Sequence, residues 1–130
     1  MTELYKNAYM VTSADADLVS LVWSREEPDD EHAAATAQAI TVELSRFADA
    51  HPGQRIKFLL DLSVVSRTFP RATAGYASWM LGNRSRIKGV AFCTRSFLLR
   101  AGVSAALLVP GLKVKGFKDP DAARVFLATF

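Results

Sequence analysis

The alternation of apolar and polar positions divides the chain into short segments of two different periods. Leu4 to Thr12 is a strand-like run of mixed polarity. Leu18-Val19-Ser20-Leu21-Val22-Trp23 is a β-rich run of strand length. Between them, Ser13-Ala14-Asp15-Ala16-Asp17 has the composition of a turn, so the two runs are expected to pair as a hairpin. The period then changes. Ala33, Ala37, Ile40, Leu44 and Phe47 recur at alternating steps of four and three, which is one stripe of a helix. Asp29, Asp30 and Glu31 put negative charge on its first turn, where the helix dipole favours it, and His51-Pro52-Gly53 ends it.

The second half alternates buried strands with helices. Ile56 to Leu62 is a short apolar run of the kind that fills a strand buried on both faces. Pro70 to Leu81 reads as a helix with proline in its first turn and Ala72, Tyr76, Trp79 and Met80 on its buried face. Ile87 to Thr94 is a second buried strand. Ser96 then caps a helix from Phe97 to Val109 whose only polar breaks are Arg100 and Ser104. A helix apolar nearly all round predicts burial on more than one side: against the sheet and a neighbouring helix first, a second subunit next, a lipid third. Leu112 to Phe117 is expected at a sheet edge with Lys113 and Lys115 in water. Asp119-Pro120 opens a last helix expected to bury Ala122, Val125, Phe126 and Phe130. The order β-β-α-β-α-β-α-β-α predicts one α/β domain over residues 1–130. Its sheet is five-stranded and mostly parallel, with four helices and with Ile56–Leu62 and Ile87–Cys93 in the interior.

Composition narrows the chemistry. In 130 residues, half are apolar and 22% are charged, which excludes a disordered or low-complexity chain. The single cysteine excludes an internal disulfide and a cysteine-based metal cage, and two distant histidines make no metal pattern. No cofactor is expected. The net charge of +3 hides a division. Residues 1–62 carry five Lys/Arg against eleven Asp/Glu; residues 63–130 carry eleven against two. The basic residues are spread singly and without interleaved aromatics, which reads as an internal or dimer-level dipole and not as a nucleic-acid surface. The chain opens with the acid-containing Met1-Thr2-Glu3, and no apolar run approaches the roughly 20 residues a bilayer needs. No stable membrane insertion is expected, and the cytoplasm is the expected location.

No complete catalytic set is visible. Cys93 follows a strand, but the arginine a phosphatase loop needs would fall at Leu99, so Cys93 reads as a small buried hydrophobe. His32 and His51 accompany no nucleophile elbow. The best candidate site is a loop. Ser63, Ser66, Arg67, Thr68, Arg71 and Thr73 join the end of a central strand to a helix N-terminus, with Asp61 at the strand end and Arg95 and Ser96 on the neighbouring loop. It is either an ordinary solvated connector with capping hydroxyls or a rim that takes an acidic partner or a small anion. With no acidic residue between Ser63 and Lys118, an electropositive rim is expected.

Three stretches carry a family likeness. They are Leu60-Asp61-Leu62-Ser63 running through Val65, Gly89-Val90-Ala91-Phe92-Cys93 with its following apolar helix, and Val114-Lys115-Gly116-Phe117-Lys118-Asp119-Pro120-Asp121-Ala122-Ala123. With the order of elements, they resemble the SpoIIAA-like or STAS domain of bacterial anti-sigma-factor antagonists. The resemblance implies a non-enzymatic regulatory domain that binds a protein partner or itself, a homodimer included. Switching members carry an Asp-Ser-Ser-Gly-like sequence at the start of the second helix. Phe69-Pro70-Arg71-Ala72 stands there in this chain, so a phospho-switch is not implied. The alternative is a small-ligand binder, with an anion at the 66–73 loop or an apolar or lipid molecule beside the 97–109 helix.

Overall fold

The computed structural model describes residues 1–130. Its strands are β1 (Thr2–Lys6), β2 (Met10–Asp15), β3 (Leu18–Trp23), β4 (Ile56–Asp61), β5 (Ile87–Cys93) and β6 (Val114–Phe117). Its helices are α1 (Asp30–Ala50), α2 (Pro70–Gly82), α3 (Phe97–Ala106) and α4 (Pro120–Leu127). The strands form one six-stranded sheet in sequence order, β1 to β6. The first three are antiparallel; β3–β4, β4–β5 and β5–β6 are parallel.

The sheet has six strands where five were expected, because the Leu4–Thr12 run breaks in two. The Asn7 side chain accepts hydrogen bonds from the Tyr9 and Met10 amides at 2.8 and 3.0 Å and turns the chain between β1 and β2. Asn side chains fold back on the following backbone in this way, and the turn that results ends the strand. The turn expected over Ser13–Asp17 shrinks to its last two residues. Ser13, Ala14 and Asp15 pair with Ser20, Val19 and Leu18, and Ala16 takes the positive φ of 54° that closes the hairpin.

Strands that add in one direction through same-handed crossovers put every connecting helix on the same face. So α1, α2 and α3 pack on one side, over a large core that includes Met10, Leu21, Ile40, Phe58, Val90 and Phe92. The last helix, α4, turns back onto the other side and closes a small cluster of Leu59, Ala91, Ala123 and Leu127. The interior places of β4 and β5 agree with their largely apolar runs. The α1 stripe is buried from Ala33 to Leu44, with Phe47 half-buried at its end, and the Asp29 side chain caps the helix by accepting from the His32 amide at 2.7 Å. At the far edge, β6 keeps Lys113 and Lys115 exposed. Its Gly116 sits against the buried Phe92 ring, where an added Cβ would meet ring carbons at 2.6 and 2.8 Å.

Two expectations about helices fail. In α4 the buried pair is Ala123 and Leu127, not Ala122 and Val125, and Val125 is 69% exposed. The helix is only eight residues long, and its register is set by how it folds back on β4 to β6. Helix α3 ends at Ala106 rather than Val109, and only Leu99 and Val103 within it are buried. Phe97 and Leu98 on its outer side, and Leu108 just beyond it, are 73%, 81% and 84% exposed. The helix lies at the sheet's margin against β6 and α2, so one side finds no cover within the chain.

Candidate functional site

The loop singled out from the sequence is held by acids from the first half of the chain. Glu26 Oε1 accepts from the Ser66 amide at 2.5 Å, the Ser66 hydroxyl at 2.8 Å and the Arg67 amide at 3.2 Å. Asp30 Oδ1 accepts from the Arg71 amide at 3.2 Å, and the same carboxylate lies 4.0 Å from the Arg71 guanidinium. Helix α2 has no side-chain cap of its own at Phe69, so Asp30 serves its first turn from the neighbouring α1. The Arg67 guanidinium donates to the Pro28 carbonyl at 3.1 Å and lies over the Phe69 ring, 4.9 Å from its centroid. The expectation of an unopposed electropositive rim is therefore corrected. Charge counted along residues 63–118 misses Glu26 and Asp30, which arrive through space and fill the anion position with the chain's own carboxylates.

The Ser66 amide, then the Ser66 hydroxyl, and lastly the Arg67 amide and charge hold the Glu26 carboxyl below its ordinary value of 4.5. A depressed folded-state pKa means that the stabilisation is present above the unfolded value and is lost as pH falls through the folded one. Glu26→Ala is expected to cost roughly 1–2 kcal/mol at neutral pH, as loss of a capping acceptor does. Urea titrations of both proteins should show that difference narrowing as pH drops below the ordinary glutamate range, where the parent loses the same carboxylate.

The remaining candidate residues separate. Strand alternation turns Asp61 and Cys93 to the opposite face of the sheet from Leu60 and Phe92. There Asp61 Oδ1 accepts from the Ser63 amide at 3.1 Å and the Ser63 hydroxyl at 2.5 Å, the loop-capping role expected of it. Cys93 is fully buried, and burial, with Asp61 beside it, pushes its thiol up to about 11. Such a thiol is inert as a nucleophile at neutral pH. Ser96 caps α3 by accepting from the Leu99 amide at 3.2 Å, and Arg95 is exposed. No three His, Cys, Asp or Glu side chains converge as metal ligands. No helix is long and apolar enough to cross a membrane.

Arg67, Thr68 and Thr73 instead border a cavity beside α3, the helix along which the sequence allowed an apolar or lipid ligand. It has a volume of about 70 Å³ and lies between the sheet and α2 and α3, at the carboxyl ends of β3 and β4. Trp23, Leu60, Tyr76, Leu99, Val103 and Leu107 make most of its apolar wall. An open groove of about 380 Å³ between α2 and α3 adjoins it through Thr68 and Thr73 and is floored by Ala74, Gly102 and Ala106.

Three buried polar atoms lie beside this space. Glu27 is 5% exposed, and neither its Oε1 nor the Tyr76 hydroxyl has a hydrogen bond. His32 Nδ1, itself buried, lies 3.3 Å from Glu27 Oε1, so these two atoms face each other outside hydrogen-bond geometry. Burial first, then the Glu27 charge, raises the Tyr76 phenol above its ordinary value, so it stays neutral and keeps its proton. Trp23 meets the Tyr76 ring edge-on at 6.4 Å. The cavity thus offers mainly apolar walls.

Tyr76 was legible as part of the buried face of α2; the lack of a partner for its hydroxyl was not. Nothing in the local pattern marks Glu27, which follows Glu26 and precedes Pro28 in an acidic stretch. Comparison of the chain with protein-family models, with curated proteins and with solved structures finds no match in any of the three.

Proposed function

We propose that the chain is a non-enzymatic binding domain whose specific site is the cavity beneath α3. It takes a small apolar ligand. The observation that carries this reading is the cavity itself, about 70 Å³ and walled mainly by Trp23, Leu60, Tyr76, Leu99, Val103 and Leu107. The position also supports it. The site lies at the carboxyl end of the parallel strands, where open α/β sheets present their ligands, although this sheet has no reversal of strand order to open a crevice. The regulatory role implied by the SpoIIAA-like resemblance is compatible with a ligand-responsive domain and forms part of the proposal.

A titration of methyl-labelled protein with 1-butanol, followed by NMR, tests the reading. The methyl groups of Leu60, Leu99, Val103 and Leu107 should shift together and saturate, while Leu59 and Leu127 on the opposite face stay still. Cavity methyls that do not respond, or that shift no more than those of Leu59 and Leu127, would refute it.

The exposure of Phe97, Leu98 and Leu108 favours a second reading, a contact between two copies of the chain through α3. Native mass spectrometry reads it directly: a dimer lost in Leu98→Ser supports it, and a monomer at all concentrations removes it.

A further inference from the structure

We infer that the outer face of α3 docks on an anionic lipid bilayer, lying in its headgroup layer without crossing it. The face is apolar and has no cover within the chain. Phe97, Ala101, Ala105 and Leu108 follow one another at steps of four, four and three, so they share one side of the helix. Phe97, Leu98 and Leu108 are 73%, 81% and 84% exposed, and no exposed position of α3 carries a charge. The stripe runs for about 15 Å, the length of the ten residues of the helix.

The charge around this face points to its occupant. Arg95, Arg100, Lys113, Lys115 and Lys118 take part in no ion pair, while six of the other eleven Lys and Arg do. Three of the five flank the start of α3. Arg95 precedes it and is exposed, and Arg100 lies along its side and donates to the Thr94 carbonyl at 2.7 Å. The Thr94 amide donates to the Phe117 carbonyl at 3.0 Å, which brings Lys118 alongside. Lys113 and Lys115 lie over rings on the α4 side of the same edge strand and add to the field at longer range. The neighbouring acids are engaged. Glu26 and Asp30 hold the 66–71 loop, and Asp119, the first acid after Ser63, caps α4 by accepting from the Ala122 amide at 2.9 Å. A helix face apolar along its crest and basic at its flank matches an anionic headgroup layer. Its apolar side chains enter the acyl boundary while Arg and Lys reach the phosphates. A second copy matches it less well, because pairing α3 with itself brings the unpaired bases of two chains together with no acid on the face to meet them. The ridge is also convex, with large side chains at its ends and alanines between. A protein partner would need a groove shaped to both ends, whereas a bilayer conforms to them.

Flotation of the intact chain with vesicles tests the inference, using phosphatidylcholine alone and phosphatidylcholine mixed with phosphatidylglycerol. Binding should be about tenfold tighter to the mixed vesicles, since each base near an anionic surface adds attraction. It should weaken as salt rises. Leu98→Glu, at a position the core does not use, should abolish binding. Arg95→Ala combined with Lys118→Ala should bring the mixed vesicles down to the level of the neutral ones. Val125→Glu, the same kind of change at an exposed site on α4, should bind as the parent does. No flotation with the mixed vesicles, equal binding to both kinds, or a loss in Val125→Glu as large as in Leu98→Glu would overturn the inference. So would a dimer that is lost in Leu98→Glu and binds no vesicles, which gives the face to a second copy.

Discussion

Replacing Phe58 with alanine is expected to remove about 3–5 kcal/mol of stability, the usual cost of deleting a fully buried phenyl ring. Phe58 has no solvent exposure and lies in β4, an interior strand. Its ring meets Trp79 of α2 edge-on at 5.8 Å, so it joins the sheet to the helix above it. A domain of this size has only about 5–15 kcal/mol in total. The variant should therefore unfold at a much lower urea concentration, with an unchanged slope if unfolding stays two-state. Trp79 fluorescence follows the transition from within the same contact. A loss below about 1 kcal/mol would mean that the ring is not in the core that the β4 alternation assigns to it.

The second large effect concerns the contact of Glu27 with His32. Glu27→Leu is expected to cost about 1–3 kcal/mol, because it leaves His32 Nδ1, buried and 3.3 Å from the Glu27 carboxylate, with nothing to face. The thermal midpoint should fall by several degrees. If Glu27→Leu proves stabilising, the carboxylate gains nothing from His32 and stands alone in the fold.

The parts of this fold that were legible in the sequence are those decided within about twenty neighbouring residues. The α1 stripe from Ala33 to Phe47, the Asp29 and Asp119 caps and the apolar runs of β4 and β5 all depend on local spacing. The break between β1 and β2 was local too, but it turned on one side chain, Asn7, taking two backbone amides. Composition does not announce such a choice. For α3 and α4 the apolar pattern was read correctly as apolar, while the face that finds cover was not. Cover depends on where each helix meets the sheet margin.

The candidate site divides along the same line. Ser63, Ser66, Arg67 and Thr68 lie between a strand end and a helix start as expected, while Arg71 and Thr73 fall inside α2. The charge state of this stretch was misjudged because Glu26 and Asp30 lie some forty positions earlier in the chain. Of the cavity, only the apolar 97–109 helix carried a signal, as the place for an apolar ligand. The rest of the wall is assembled from β3, β4, α1, α2 and the loops between them, and no single segment shows that they enclose a space.

Diffraction from crystals of the protein grown with and without 1-butanol tests the central claim most directly. The account predicts an open cavity between the sheet and α3 in both, with the butanol carbons against Leu99 and Val103 in the first. A cavity closed over by those leucine and valine side chains, with no guest admitted, would contradict it.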